Sequence, residues 1–340
     1  MKPIDRVLAA LYHEEPDLVP CLWAVASGLR SLQAEFLRRK IRLPRDMVGV
    51  GGVLRESEVV ERGPDYEVLR SPFGDLRRLS YKVEYGYSEL IRPAVSGPEA
   101  LDDLEQPELD MERVKKIRET VKEHGDSFTY ISHDSPFDSV AQHLRGFKPF
   151  LTDMVKDPLF AKKLLDFAMK PQVEMAKILI EETGVHGVWL TGDLGNPHGP
   201  FISPRLYREI LFPWDHRIAE TYHRLGAFVF LHSHGNLNLL LEDLIRAGFD
   251  GLNPIDEAEG MNLATIKEKY EDRITLVPQP STYRLEKMPK ELIEGYVATQ
   301  LGAAAHGGGL IYYGVIVNMP LENAEHYVKV FEKLRRYPKS

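Results

Sequence analysis

Two histidines one residue apart, His232 and His234 in the stretch LHSHGN (231–236), are the most informative local feature of this 340-residue chain. Residues two apart in an extended strand share a face, so both imidazoles can present a nitrogen to one ion. They can equally hydrogen-bond neighbouring loops or receive a substrate anion. The stretch TGDLGNPH (191–198) adds Asp193, which suits a third metal ligand, a general acid or base, or an acceptor orienting His232. The plainer reading of Asp193 is a turn cap, and His198 reads as a loop residue. In His133-Asp134, His133 is the better site candidate, because Asp134 reads as the N-cap of a helix containing Phe137 and Leu144. Gln279, Tyr312 and Tyr313 follow or end later strands and complete a ring of polar groups. A tyrosine keeps its proton at neutral pH because its ordinary pKa is about 10. Asp193 and Tyr313 are therefore the candidates for catalysis. His133, Asn196, Asn236, Gln279 and Tyr312 are the candidates for substrate contact, and His232, His234 and Asp193 for a metal.

The elements that must position these groups alternate between apolar runs and amphipathic stretches. Strands are expected at 185–190, 227–232, 251–255, 274–277 and 309–313, and helices at 204–225, 237–247, 263–270, 289–305 and 321–336. Gly226, Gly248 and Gly307 follow helices, and Ser203-Pro204 supplies an N-cap with proline at the first helical position. Such βα alternation favours parallel strands covered by helices, with reactive groups at the strands' carboxyl ends. In the first half, strands at 19–25 and 128–132 bracket an excursion of about 40–110. Within it, 66–70 and 76–85 flank SPFGD and read as a hairpin over the barrel mouth, either a lid or a decoration. No repeat interrupts the pattern, so residues 1–340 are expected to form one domain.

Composition narrows the classes. The formal charge is −8 and no basic run interleaves with aromatics, which argues against nucleic acid. No apolar run long enough to span a bilayer occurs, and residues 1–15 lack an apolar core, so a cytoplasmic location is expected. Cys21 is the single cysteine, which excludes an internal disulfide and leaves His, Asp and Glu as metal ligands.

Segments 6–23 (RVLAALYHEEPDLVPCLW), 192–213 (GDLGNPHGPFISPRLYREILFP), 230–236 (FLHSHGN), 251–263 (GLNPIDEAEGMNL) and 307–323 (GGGLIYYGVIVNMPLEN) resemble the uroporphyrinogen decarboxylase superfamily, in order along the chain. That resemblance implies an α/β fold, a (β/α)8 TIM barrel. It implies either porphyrinogen decarboxylation or methyl transfer between a corrinoid protein and a thiol or methyl donor. The decarboxylases carry Arg-Gln-Ala-Gly-Arg-Tyr after the first strand. Here Val25 and Leu29 stand where its arginines would, and Arg30 is out of step. Asp46 precedes the place of their aspartate, and Tyr312-Tyr313-Gly314 replaces their Gly-His-Gly. The methyltransferases hold zinc through His-x-Cys and a distal Cys. His232-x-His234 keeps that spacing, with Tyr313 near the distal position. An ion with imidazole and carboxylate ligands is a stronger Lewis acid than one with thiolates. The resemblance thus implies a corrinoid-dependent methyltransferase acting on a small methylated or methoxylated molecule or thiol. Zinc would sit on His232, His234 and Asp193, Tyr313 would donate to the leaving oxygen, and the corrinoid would arrive on a partner protein. A homodimer is compatible with this. A decarboxylase-like lyase and a non-catalytic ligand-binding barrel are the alternatives, with a metal-dependent amidohydrolase ranked below them.

Overall fold

The structure is a computed structural model that describes residues 1–25, 40–54, 56–81, 87–280, 282–316 and 319–337. Its strands, in chain order, are β1 Cys21–Val25, β2 Met47–Gly49, β3 Glu58–Arg62, β4 Tyr66–Arg70, β5 Leu76–Ser80, β6 Tyr87–Arg92, β7 Phe128–Asp134, β8 Gly187–Thr191, β9 Gly195–Asn196, β10 Gly199–Pro200, β11 Phe228–His232, β12 Gly251–Ile255, β13 Thr275–Pro278 and β14 Tyr312–Ile316. Six parallel strands pair in the order β13-β12-β11-β8-β7-β2, and β1 pairs in parallel with β14. Short contacts join the two groups: a parallel bridge between Leu276 and Leu310, and the Asp46 N–H donating to the Cys21 carbonyl at 2.8 Å. The strands curl into the expected α/β barrel, although continuous ladders do not close it.

Buried parallel strands are apolar on both faces, and β12 and β13 are buried at every position. Alternation then sends side chains to two cores. Leu22, Met47, Phe128, Trp189, Phe230, Val277 and Ile311 fill the interior, where Trp189 and Phe230 stack with ring centroids 5.0 Å apart. The helix Pro3–Leu11 closes the base with Val7, Ala10 and Leu11. The opposite faces pack against the helices.

Three local departures from the sequence expectation have clear causes. The helix expected at 204–225 is two, Pro204–Ile210 and Phe212–Arg224, because Pro213 lacks an N–H and its ring cannot continue a helix. The strand expected at 309–313 begins at Tyr312, because Gly307, Gly308 and Gly309 take φ of +73°, +73° and +68°, outside strand geometry. The excursion expected at about 40–110 contains a barrel strand, β2, which is three residues long and too short to show a period.

The rest of that excursion is a four-stranded antiparallel sheet, β3-β4-β5-β6. The expected hairpin is its centre, with β4 and β5 paired from Tyr66↔Ser80 to Arg70↔Leu76. Residues 82–85 of the expected second strand lie outside the described residues. In the connecting turn Gly74 has φ +87°, its N–H reaches the Ser71 carbonyl at 2.9 Å, and Ser71 N–H reaches the Asp75 carbonyl at 3.0 Å. The long helix Pro158–Thr183 contains Pro171, which releases the carbonyl of Phe167 four residues earlier. Gln106 Nε2 donates to that carbonyl at 2.9 Å. No described helix is long and apolar enough to cross a membrane.

Candidate active site

The histidine pair stands where β11 ends. His232 Nδ1 is 2.6 Å from Asn253 Oδ1, and Asn253 Nδ2 donates to the Val277 carbonyl at 2.9 Å. That second bond turns the amide so that Oδ1 must accept. His232 therefore carries its proton on Nδ1 and leaves Nε2 as a lone pair. Burial pushes its pKa down, outweighing the help from Asn253, and neighbouring His234 pushes the same way. His234 behaves oppositely. Burial disfavours its cation, but Glu259 Oε1 lies 2.7 Å from Nδ1 and the net direction is up. The other oxygen of Glu259 takes the Gly235 N–H at 2.8 Å. Two rings with centroids 5.0 Å apart thus prefer different protonation states.

Asp193 is exposed and belongs to this group, accepting the His234 backbone N–H at 2.9 Å. The two loops can meet because Gly235, at φ +103°, lies against Gly195; a Cβ there would stand 2.3 Å from the Gly195 carbonyl carbon. Ser233 Oγ accepts the Leu194 N–H at 2.8 Å across the same seam.

The other expected residues divide. Tyr313 is in the aromatic interior, edge-on to Trp189 at 6.2 Å, and Trp189 in turn stacks on Phe230, two residues before His232. Burial raises the Tyr313 pKa. Tyr312, expected in the polar ring, points into the helix layer, fully buried with its hydroxyl 2.9 Å from that of Tyr327. His133 likewise reaches outward, its Nε2 3.2 Å from the Tyr222 hydroxyl. Tyr312 is misplaced by alternation, since its neighbour Tyr313 takes the inner face, whereas His133 stands in the wall of a cavity beside Asp134. Asn196 and Asn236 organise their own loops, accepting the backbone N–H groups of His198 at 2.8 Å and Asn238 at 3.2 Å. Gln279 follows β13, half-buried.

Asp134, expected as a helix cap, is not one. Ser135 takes that place, its Oγ accepting the Asp138 N–H at 3.3 Å. Asp134 instead receives His143 Nε2 at 3.0 Å and the Thr191 hydroxyl at 3.3 Å. The other nitrogen of His143 is 3.3 Å from Asp75 Oδ1 in the hairpin turn, and Phe73 of that turn stacks on the ring at 5.3 Å. Burial opposes the His143 cation, but the two carboxylates win and push its pKa up to about 9. His143 sits in a π-helical turn, Ser139–Leu144, a geometry often found at functional sites. Nearby Asp138 is pushed up to about 7, by burial first and then by the charges of Asp134 and Asp193. Beside this cluster lies a cavity of about 340 Å³, whose wall includes Val53, Phe73, Asp134, Gln172 and Thr191. Sequence reading missed Asp75, Asp138, His143, Asn253 and Glu259. Glu259 and Asn253 lie inside segment 251–263, which carries the family resemblance but no pattern that singles them out, and nothing local marks the other three.

A sequence model of the family described as uroporphyrinogen decarboxylase (URO-D) matches residues 77–334. The chain belongs to the uroporphyrinogen decarboxylase family. A comparison with curated proteins finds no match. Among solved structures, a methyltransferase from Methanosarcina mazei is 18% identical with a TM-score of 0.67, covering 98% of this chain and 99% of that one, which shows the shared fold. A 3-keto-D-glucoside 4-epimerase from E. coli (15% identity, TM-score 0.41, covering 66% of this chain and 84% of that one) is too distant to carry an argument. The same holds for a family 2 AP endonuclease from Brucella melitensis (12% identity, TM-score 0.40, coverage 61% and 78%).

Within the family, two sequence signatures can be placed. Val25, where decarboxylases carry their first arginine, is a buried core residue, and Leu29 and Arg30 lie outside the described residues. For zinc, the donor set does not fit: among the described residues no group of three or more His, Cys, Asp or Glu side chains is arranged to hold a metal ion. His234 is committed to Glu259, and its raised pKa favours a proton on the ring over a metal.

Proposed function

We propose that this family member is a methyl-transfer enzyme, moving a methyl group between a small methylated substrate and a corrinoid carried by a separate protein. One observation carries the reading: His232, whose burial and Asn253 contact favour the neutral ring, stands beside His234, whose Glu259 partner favours the cation, at the end of a barrel strand. When a methyl group leaves a heteroatom as a carbocation equivalent, the bonding electron pair stays on the heteroatom, which then needs a proton. His234 supplies it. With Nδ1 held by Glu259, the imidazolium has Nε2–H left to donate, and its acidity suits neutral pH far better than a buried phenol. His232 Nε2, kept bare by Asn253, accepts a hydrogen bond that orients the substrate. No step is assigned to zinc. The likeness to the Methanosarcina mazei methyltransferase along the full chain supports this branch, and buried Val25 weighs against a decarboxylase that must grip carboxylates.

The decisive experiment is methyl transfer to a reduced corrinoid protein, followed by the corrinoid absorbance change. His234→Gln keeps the size but removes the acid, and kcat should fall by about 10²-fold or more. Decarboxylation of a porphyrinogen by the wild-type chain would overturn the assignment, as would full activity in the variant.

A further inference from the structure

Three acceptor oxygens around the Asp134–His143 cluster are buried with no hydrogen-bond partner among the described residues: Asp75 Oδ2, Asp138 Oδ1 and Gln172 Oε1. Orphan acceptors in such number need an explanation, because each costs the desolvation of a polar group. They share one neighbourhood. Asp75 is bonded to His143, His143 to Asp134, and Gln172 and Asp134 line the same cavity of about 340 Å³. Asp138 is coupled electrostatically to Asp134 and accepts from Gln142, whose own oxygen is held by Arg77 Nη2 at 3.1 Å. The wall offers acceptors from Asp134 and Gln172 and apolar surface from Val53, Leu54 and Phe73. Donors are few: the Thr191 hydroxyl is spent on Asp134, the His133 nitrogens lie beside the Asp134 carbonyl and the Tyr222 hydroxyl, and Gln172 Nε2 donates to Ser139 Oγ at 3.3 Å, which leaves the Ser132 hydroxyl. Charge points the same way. The carboxylates of Asp75 and Asp134 share the one imidazole of His143, so the cluster beside the wall holds more carboxylate than cation.

We propose that this cavity binds a small organic cation, a protonated or quaternary amine, against Asp134 and Gln172. Volume agrees, since it lies at the lower end of the about 300–1,000 Å³ usual for small-molecule pockets. Thr191 lies two residues before Asp193, and the Gly192 N–H donates to the His232 carbonyl at 2.9 Å, so the cavity adjoins the histidine pair through β8. A quaternary or protonated amine that gives up a methyl cation equivalent leaves as a neutral amine and needs no proton, so the bound cation is not the donor that His234 would protonate. The binding site stands independently of the methyl-transfer reading.

Calorimetric titration of the full chain with choline and with its neutral isostere 3,3-dimethylbutan-1-ol separates charge from shape. Choline should bind at least about tenfold more tightly, as expected for a charge-assisted contact. Asp134→Asn should erase that preference. Because it also breaks the His143 pair and can unfold the region, Gln172→Glu serves as the second variant: it adds negative charge where an oxygen is already free and should tighten choline about fivefold. Equal affinity for both compounds, or no gain in Gln172→Glu, overturns the cation site. Turnover of a neutral methoxylated donor without choline binding would sink this inference and leave the methyl-transfer reading standing. Choline binding in a chain that transfers methyl from no donor would do the reverse.

Discussion

The two ends of the barrel use the same residue types to opposite ends. At the base, Asp46 is almost fully buried and each of its oxygens meets an arginine: Oδ1 receives Arg6 Nη1 at 3.1 Å and Oδ2 receives Arg335 Nη1 at 2.8 Å. Oδ2 also takes the Cys21 N–H at 3.0 Å, and Arg6 reaches on to Asp17 at 2.7 Å. Burial pushes the neighbouring Cys21 thiol up, which keeps it inert. At the mouth, carboxylates outnumber their partners, oxygens stay orphaned, and pKa values are displaced, that of Asp138 up to about 7 and that of His143 up to about 9. A network matched in charge stabilises a fold. One left unmatched is ready to exchange protons or receive a ligand.

The contrast can be broken most directly at the base. Asp46→Ala leaves the buried Arg335 guanidinium without its carboxylate and should cost about 3–5 kcal/mol in urea unfolding, the usual penalty for orphaning a buried charge. A loss below about 1 kcal/mol would mean that the base network is as dispensable as a surface pair.

A smaller effect should appear at the mouth as a pH dependence. His143 has its folded pKa raised to about 9, above its ordinary 6.5, so its pairing stabilises fully below pH 6.5 and is lost as pH rises through 9. Stability of the wild type should fall across that window by an amount approaching about 3 kcal/mol, since each tenfold gain in proton affinity on folding is worth roughly 1.4 kcal/mol. In His143→Gln this loss should vanish; an unchanged slope there would dissociate the latch between hairpin and barrel from this histidine.

The smallest change sharpens the comparison by its sign. Asp138 has its folded pKa raised to about 7 from 3.8, so its ionisation opposes folding increasingly above pH 3.8 and fully above 7. Asp138→Asn should therefore stabilise at pH 8, by about 1–2 kcal/mol, and make little difference at pH 4, the pattern of a site that trades stability for activity. Destabilisation at pH 8 would show that the carboxylate is structurally satisfied.

How much of this was legible in the chain depends on distance along it. The βα alternation, the hairpin around SPFGD and the strand ending at His232 all follow from neighbours a few residues apart, and they appear where expected. Inward and outward assignments were less secure, because a shift of one residue exchanges the faces of a strand; Tyr312 went wrong for that reason. Asp134 was mistaken for a cap because Ser135, one residue later, satisfies the same helix. Zinc ligation was inferred from spacing, which does not tell whether a third donor arrives.

By itself the sequence determined the family, the barrel and the place of a histidine pair at a strand's carboxyl end, since periodicity, turn chemistry and motif order are properties of adjacent residues. Tertiary structure alone decided the protonation of that pair and the existence of the acidic cavity. Asn253 and Glu259 lie 21 and 25 positions from their histidines, and Asp75 lies 68 from His143. Burial and Coulomb coupling act through space, so no local pattern records them.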